Sequence, residues 1–151
     1  MKYLIAGLGN IGPEYRNTRH NIGFRILDAF AEASNITFED KRYGYIADYR
    51  HKARSFILLK PTTYMNRSGL SVNYWLKKAN IPIENLLVFT DDIALPFGTI
   101  RIRPKGGDGG HNGLTSIIEV LGSGDFARVR FGIGNDFRDG QQVNYVLDPW
   151  T

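Results

Sequence analysis

The stretch Lys2–Gly7 does most to limit the folds open to this chain. Tyr3-Leu4-Ile5-Ala6 is apolar without a break and is stopped at once by Gly7-Leu8-Gly9-Asn10-Ile11-Gly12. A short run of this kind reads as a buried central strand. The glycine-rich and polar residues 8–19 that follow read as loop.

Downstream, the hydrophobic period switches back and forth. Ile22, Ile26, Leu27, Phe30 and Ala31 recur at helical spacing within 21–34, and Leu70, Val72, Trp75 and Leu76 do so within 66–79. Residues 43–50 and 53–59 read as a strand pair turned near Arg50–Lys52. Residues 86–89 form a further apolar run, ending at Thr90-Asp91-Asp92. Residues 99–103 read as a strand with Ile100 and Ile102 on one face, 105–110 as a glycine loop, 114–121 as helix and 129–133 as strand. Strands alternating with helices predict a single-domain α/β fold with a mixed sheet over 1–151.

Length and composition agree with one domain. At 151 residues the chain can build a core without staples. It contains no cysteine, which excludes disulfides and thiolate metal sites and fits a reducing, cytoplasmic setting. The opening residues lack the features of a signal peptide, and no apolar run is long enough to span a membrane. The formal charge of +4, from 19 basic and 15 acidic residues, permits an anionic partner without requiring one.

The glycines at 7, 9 and 12 have the G-x-G-x-x-G spacing of a dinucleotide turn. Such a turn needs a helix to begin inside the motif, so that its N-terminus holds pyrophosphate. Here the next stretch, 13–20, has no apolar stripe, and the nearest acids, Asp28 and Glu32, fall inside a helical pattern rather than at a strand end. The glycines read instead as a tight turn that lets Gly7 and Gly9 approach a ligand and presents Asn10.

Ligands of open α/β sheets bind beyond the carboxyl ends of the strands. The loops expected there carry Asn10 and His20, then Asn66, then Asp91, then His111 and Asn112. Histidine suits general-base work near neutral pH. A carboxylate on its far nitrogen would fix the tautomer, and asparagine amides stabilise a developing oxyanion without bearing charge. No nucleophile stands out, which favours attack by activated water on an ester or amide. Three histidines with no i,i+4 pair are a poor metal-ligand set. Each of these residues also has a plainer reading: His20 and His111 as helix-start residues, the asparagines as turn or cap residues, Asp91 as a turn acid.

Four ordered motifs now carry a resemblance over nearly the whole chain. They are Gly7-Leu8-Gly9-Asn10, Thr18-Arg19-His20-Asn21-Ile22-Gly23, the run from Lys60 to Gly69 (Lys60-Pro61-Thr62-Thr63-Tyr64-Met65-Asn66-Arg67-Ser68-Gly69), and Gly107 through His111-Asn112-Gly113-Leu114. Together they resemble the bacterial-type peptidyl-tRNA hydrolases. The resemblance implies one twisted mixed sheet flanked by helices on both faces, a monomer, no cofactor, and hydrolysis of the ester joining a peptide to tRNA. It implies His20 as general base, Asp91 holding His20, and Asn10 reading the blocked aminoacyl end. Asn66 and Asn112 would contact substrate near the ester, and Tyr15, Tyr64, Met65 and His111 would line the groove. Arg103, Lys105 and Arg130 would meet tRNA phosphates. A non-catalytic tRNA- or RNA-binding module is the alternative.

The chain departs from the family pattern at Thr115, a position often basic, at Ala94, often acidic, and at Asp108, an acid in the glycine loop. It stops at Val146-Leu147-Asp148-Pro149-Trp150-Thr151, where the family usually continues into a C-terminal helical segment.

Overall fold

The computed structural model describes residues 1–15, 18–134 and 146–147. Among these residues, seven strands form one sheet: β1 (Lys2–Gly7), β2 (Glu39–Lys41), β3 (Gly44–His51), β4 (Arg54–Pro61), β5 (Leu86–Asp92), β6 (Ile100–Arg103) and β7 (Ala127–Gly132). Their order is β2-β3-β4-β1-β5-β7-β6. β1 runs parallel to β4 on one side and to β5 on the other, and β5 runs parallel to β7. The pairs β2–β3, β3–β4 and β6–β7 are antiparallel. The sheet is therefore mixed, with its parallel strands at the centre.

The apolar run of the N-terminus is explained by this position. Leu4 and Ala6 of β1 join Leu59, Leu86 and Val88 on the face covered by α2 (Ser68–Lys78) and α3 (Asn112–Leu121). Val72, Leu76, Leu114 and Ile117 close that face from the helices. The opposite face packs Ile5, Ala47, Leu58 and Phe89 with Leu27 of α1 (Ile22–Ala33). Each fully buried aliphatic side chain contributes roughly 1.5–3 kcal/mol, so the larger cluster under α2 and α3 dominates stability.

The glycine turn has a different cause from the one its spacing suggests. A Cβ on Gly7 would lie 2.3 Å from the Gly23 carbonyl oxygen, and one on Gly23 would lie 2.4 Å from the Leu8 nitrogen. Bare backbone on both partners lets α1 press directly onto the end of β1. A Cβ on Gly9 would likewise meet Phe24 and Asn21. Gly7 and Gly9 thus approach a helix, not a ligand. α1 starts only at Ile22, with Asp28 and Glu32 inside it, which removes the dinucleotide reading.

Other boundaries move for local reasons. β5 continues through Thr90 to Asp92 because β7 pairs with it that far, Asp91 standing opposite Phe131. The β3–β4 hairpin turns one residue later than expected, with Lys52 at φ 56. β2 is wholly exposed, so no burial period marks it in the sequence. Ile100 and Ile102 share a face of the edge strand β6 but are 59% and 69% exposed.

Candidate active site

The site gathers at the carboxyl ends of the parallel strands. His20 lies in a 3-10 turn, Arg19–Asn21, that leads into α1. Asp91 sits near the carboxyl end of β5 and is 3% exposed. The His20 Nδ1–H donates to both Asp91 carboxylate oxygens, at 2.8 and 2.7 Å. This fixes the ring so that Nε2 keeps a lone pair, and Nε2 has no hydrogen-bond partner among the described residues. His20 borders a small cavity also lined by Asp91, Asp92, Asp108, His111, Asn112, Arg130 and Val146.

A second imidazole shares the carboxylate. The His111 Nε2 lies 2.7 Å from Asp91 Oδ1, and the two rings are 5.0 Å apart between centroids. Burial pushes the Asp91 carboxyl up. The pull of His111 and the hydrogen bonds from His111 and His20 outweigh this and hold it well below the usual carboxylate range. The donor atoms of His20, Asp91 and His111 lie within 4.8 Å of one another. Both ring nitrogens address the carboxylate at hydrogen-bond distance.

Asn10 follows β1 and is held from two sides. Its Oδ1 accepts the Met65 N–H at 2.7 Å. The carbonyl oxygen holds the Met65 N–H, and the two side-chain N–H groups have no partner among the described residues. Its peptide is clasped by Asn21, whose Oδ1 accepts the Asn10 N–H and whose Nδ2 donates to the Asn10 carbonyl, both at 2.8 Å. Met65 is buried in a 3-10 turn, Met65–Arg67, that packs against α3. Gly69, just beyond, has Ser116 as its close neighbour: its N–H donates to Ser116 Oγ at 2.9 Å.

Not every expected residue reaches this centre. His20, Asp91, His111, Asn112 and Arg130 border one cavity, whereas Asn10, bonded to Met65, borders a second one with Asn21, Phe24 and Lys60. Asn66 and Tyr64 are exposed beside Met65, and Tyr15 uses its carbonyl to accept from Thr18. Arg103 and Lys105 are exposed at and beyond the edge strand β6. Arg130 is half-buried, with Nη1 3.4 Å from Asp92 Oδ2 and Nη2 donating to the Gly107 carbonyl. Arg128 is 0% exposed and donates to the carbonyls of Gly107, Gly124 and Phe126, so it clamps the glycine loop from below.

Two departures from the family pattern turn out to be one feature. The Thr115 hydroxyl donates to Asp108 Oδ2 at 2.8 Å, and the Gly110 N–H donates to Asp108 Oδ1 at 2.9 Å. These hydrogen bonds hold the Asp108 carboxyl below its ordinary value. Asp108 therefore ties the loop to the first turn of α3. Two residues that build the site, Asn21 and Arg128, are not singled out by the sequence. Asn21 stands inside a motif whose neighbour His20 draws attention, and a buried arginine has no sequence signal of its own.

The parallel strand ends and the carboxylate-backed imidazole define a mixed-sheet α/β protein built around a buried histidine–aspartate pair. The chain belongs to the peptidyl-tRNA hydrolase family: a family model described as Peptidyl-tRNA hydrolase matches residues 4–151. It is 62% identical over 151 residues to a peptidyl-tRNA hydrolase of Phocaeicola vulgatus, covering 100% of this chain and 81% of that one. A peptidyl-tRNA hydrolase of Porphyromonas gingivalis is 58% identical over 151 residues, with 82% of its length covered. Among solved structures, the peptidyl-tRNA hydrolase of Acinetobacter baumannii superposes with a TM-score of 0.93 at 37% identity, over 99% of this chain and 76% of that one. No described helix is long and apolar enough to cross a membrane.

Proposed function

We propose that this protein hydrolyses the ester between a peptide and the 3′ end of tRNA, returning the tRNA to use. The observation that carries the mechanism is the His20–Asp91 contact, which leaves His20 Nε2 with a lone pair and no partner among the described residues. His20 Nε2 takes a proton from water as the water attacks the ester carbonyl, and Asp91 stabilises the imidazolium that forms. Family membership supports the substrate. The intact pair disfavours a purely RNA-binding role.

The remaining roles follow from what each group has left to offer. The free N–H groups of Asn10 donate to the acyl end of the substrate, and Asn66 and Asn112 contribute amides near the ester. Met65, Tyr15, Tyr64 and His111 shape the groove. Arg103 and Lys105 meet tRNA phosphates, with Arg130 adding a weaker contact because Asp92 and Gly107 already engage it. The reaction uses no cofactor, and the protein acts as a cytoplasmic monomer. Release of an N-blocked aminoacyl group from tRNA by wild type and His20→Ala tests the reading. The variant should fold and lose about 10²–10⁴-fold in rate; wild-type rates in it would remove His20 from the chemistry.

A further inference from the structure

We infer that His111 is a tautomer-locked positioning residue that tunes the His20–Asp91 pair through the shared carboxylate. The inference rests on the reading of His20 as base and goes beyond placing His111 on the groove wall.

His111 is the N-cap of α3, and its Nδ1 accepts from the backbone N–H groups of Gly113, at 3.0 Å, and Leu114, at 3.3 Å. A ring nitrogen that accepts two N–H donors carries no proton. The ring proton of His111 is therefore on Nε2, and that N–H donates to Asp91 Oδ1. A second proton on Nδ1 would point at two backbone N–H groups and break the cap. The helix start thus fixes His111 as a permanent donor to Asp91 and removes it from proton transfer.

The consequence falls on His20. Asp91 Oδ1 receives both the His20 Nδ1–H and the His111 Nε2–H. A donor from His111 withdraws part of the negative charge that would otherwise favour the His20 imidazolium. The two rings thus compete for one carboxylate oxygen, and Asp91 holds a His20 imidazolium less strongly than it would alone. Among the described residues, the other charged groups facing this centre are Asp92 of β5, Arg130 of β7, and Asp108 of the glycine loop. Asp92 and Arg130 face each other at 3.4 Å and Asp108 is held by Thr115 and Gly110, so none of them contacts the shared carboxylate.

Two substitutions separate the two nitrogens of His111. His111→Asn keeps a good N-cap but cannot reach Asp91. His111→Gln extends an amide to the Nε2 position but gives up the cap. His111→Asn should melt close to wild type, while the acid midpoint of its kcat/KM–pH profile moves up by about 0.5–1 unit and kcat falls roughly tenfold. His111→Gln should keep the wild-type midpoint and lose about 2–4 °C in Tm. A merely structural role would lower Tm in both variants and move neither midpoint, which would overturn the inference. Ring-nitrogen NMR gives an arm independent of catalysis. His111 should show a protonated Nε2 and a bare Nδ1 from neutral pH down to the activity midpoint, in wild type and in His20→Ala alike. A proton on Nδ1 would equally overturn it. Activity retained in His20→Ala would instead strike the base reading and leave the NMR arm standing.

Discussion

Asn21 clasps the peptide of Asn10 in both directions, with its Oδ1 accepting the N–H and its Nδ2 donating to the carbonyl, each at 2.8 Å. The side-chain amide stands where a neighbouring strand's backbone would stand. It extends the order of β1 past the end of the sheet and holds Asn10 against Met65. Because Asn21 directly follows His20, one short turn sets the positions of both His20 and Asn10.

Asn21→Ala should therefore act on substrate recognition as well as on stability. Two buried backbone groups lose their partner, at about 1–3 kcal/mol each if left unsatisfied. A steady-state assay should show KM raised severalfold with a smaller fall in kcat, and a melt should show reduced stability. A variant whose KM is unchanged would mean that Asn10 does not depend on Asn21 for its placement.

Asp91→Asn should cut kcat by about 10²-fold or more with little change in KM, since the amide cannot stabilise the imidazolium and reverses the tautomer at His20 Nδ1. It also changes the response to acid. The Asp91 carboxyl is held below its ordinary value of 3.8, so its stabilising contribution is fully present above that pH and is lost as pH falls through the depressed folded value. Wild type should lose stability relative to Asp91→Asn below about pH 4. Melts between pH 7 and pH 2 measure the slope, and parallel curves for the two proteins would contradict the coupling.

Arg128 and the pair Arg103 and Lys105 should separate cleanly in a salt titration. Arg128→Met strips three carbonyls of a buried charged donor and should destabilise the fold by about 2–4 kcal/mol. The salt dependence of tRNA binding should stay as in wild type. Arg103→Gln with Lys105→Gln should leave the melt unchanged, weaken tRNA binding and reduce the log–log salt slope by about 1 for each phosphate no longer neutralised. An unchanged slope would take both residues out of the interface.

Gly23→Ala tests the contact between α1 and β1. Its Cβ would meet the Leu8 nitrogen at 2.4 Å and the Phe89 oxygen at 2.8 Å, both backbone atoms that cannot step aside. The helix must move, at about 1–3 kcal/mol or more, and His20 moves with it. Gly107→Ala is the control: a Cβ there meets nothing within 4 Å, and stability should change by less than about 0.5 kcal/mol. Equal melts for the two variants would deny the close approach.

The central strands are legible because their burial period is written locally, whereas the His20–Asp91 partnership, between residues 71 positions apart, is implied only by the family resemblance. The glycines at 7 and 9 are legible as a turn but not as a helix seat, since the partner at Gly23 comes from another element. Asn21 and Arg128 escape for a related reason. Their worth lies in the carbonyls and amides they satisfy, and backbone groups leave no mark in a sequence. His111 stands out through its motif, yet its hydrogen bond to Asp91 spans elements whose relative position only the fold supplies. The pairing of Asp108 with Thr115 is hidden because each, taken alone, reads only as a change in charge along the tRNA path.

The placement of β1 between β4 and β5 also governs the protein's own birth. The strand is made first, yet its two neighbours are residues 54–61 and 86–92. At about 5–20 residues per second, an unbroken apolar strand waits several seconds with one or both edges unpaired. The hairpin of β3 and β4 can form early from near neighbours, but β5 arrives late and brings Asp91 with it. His20 and Asp91 are 71 positions apart. A chain whose own synthesis is interrupted between them would carry the imidazole without its carboxylate. This catalyst of tRNA release is thus silent until most of its sheet has been made.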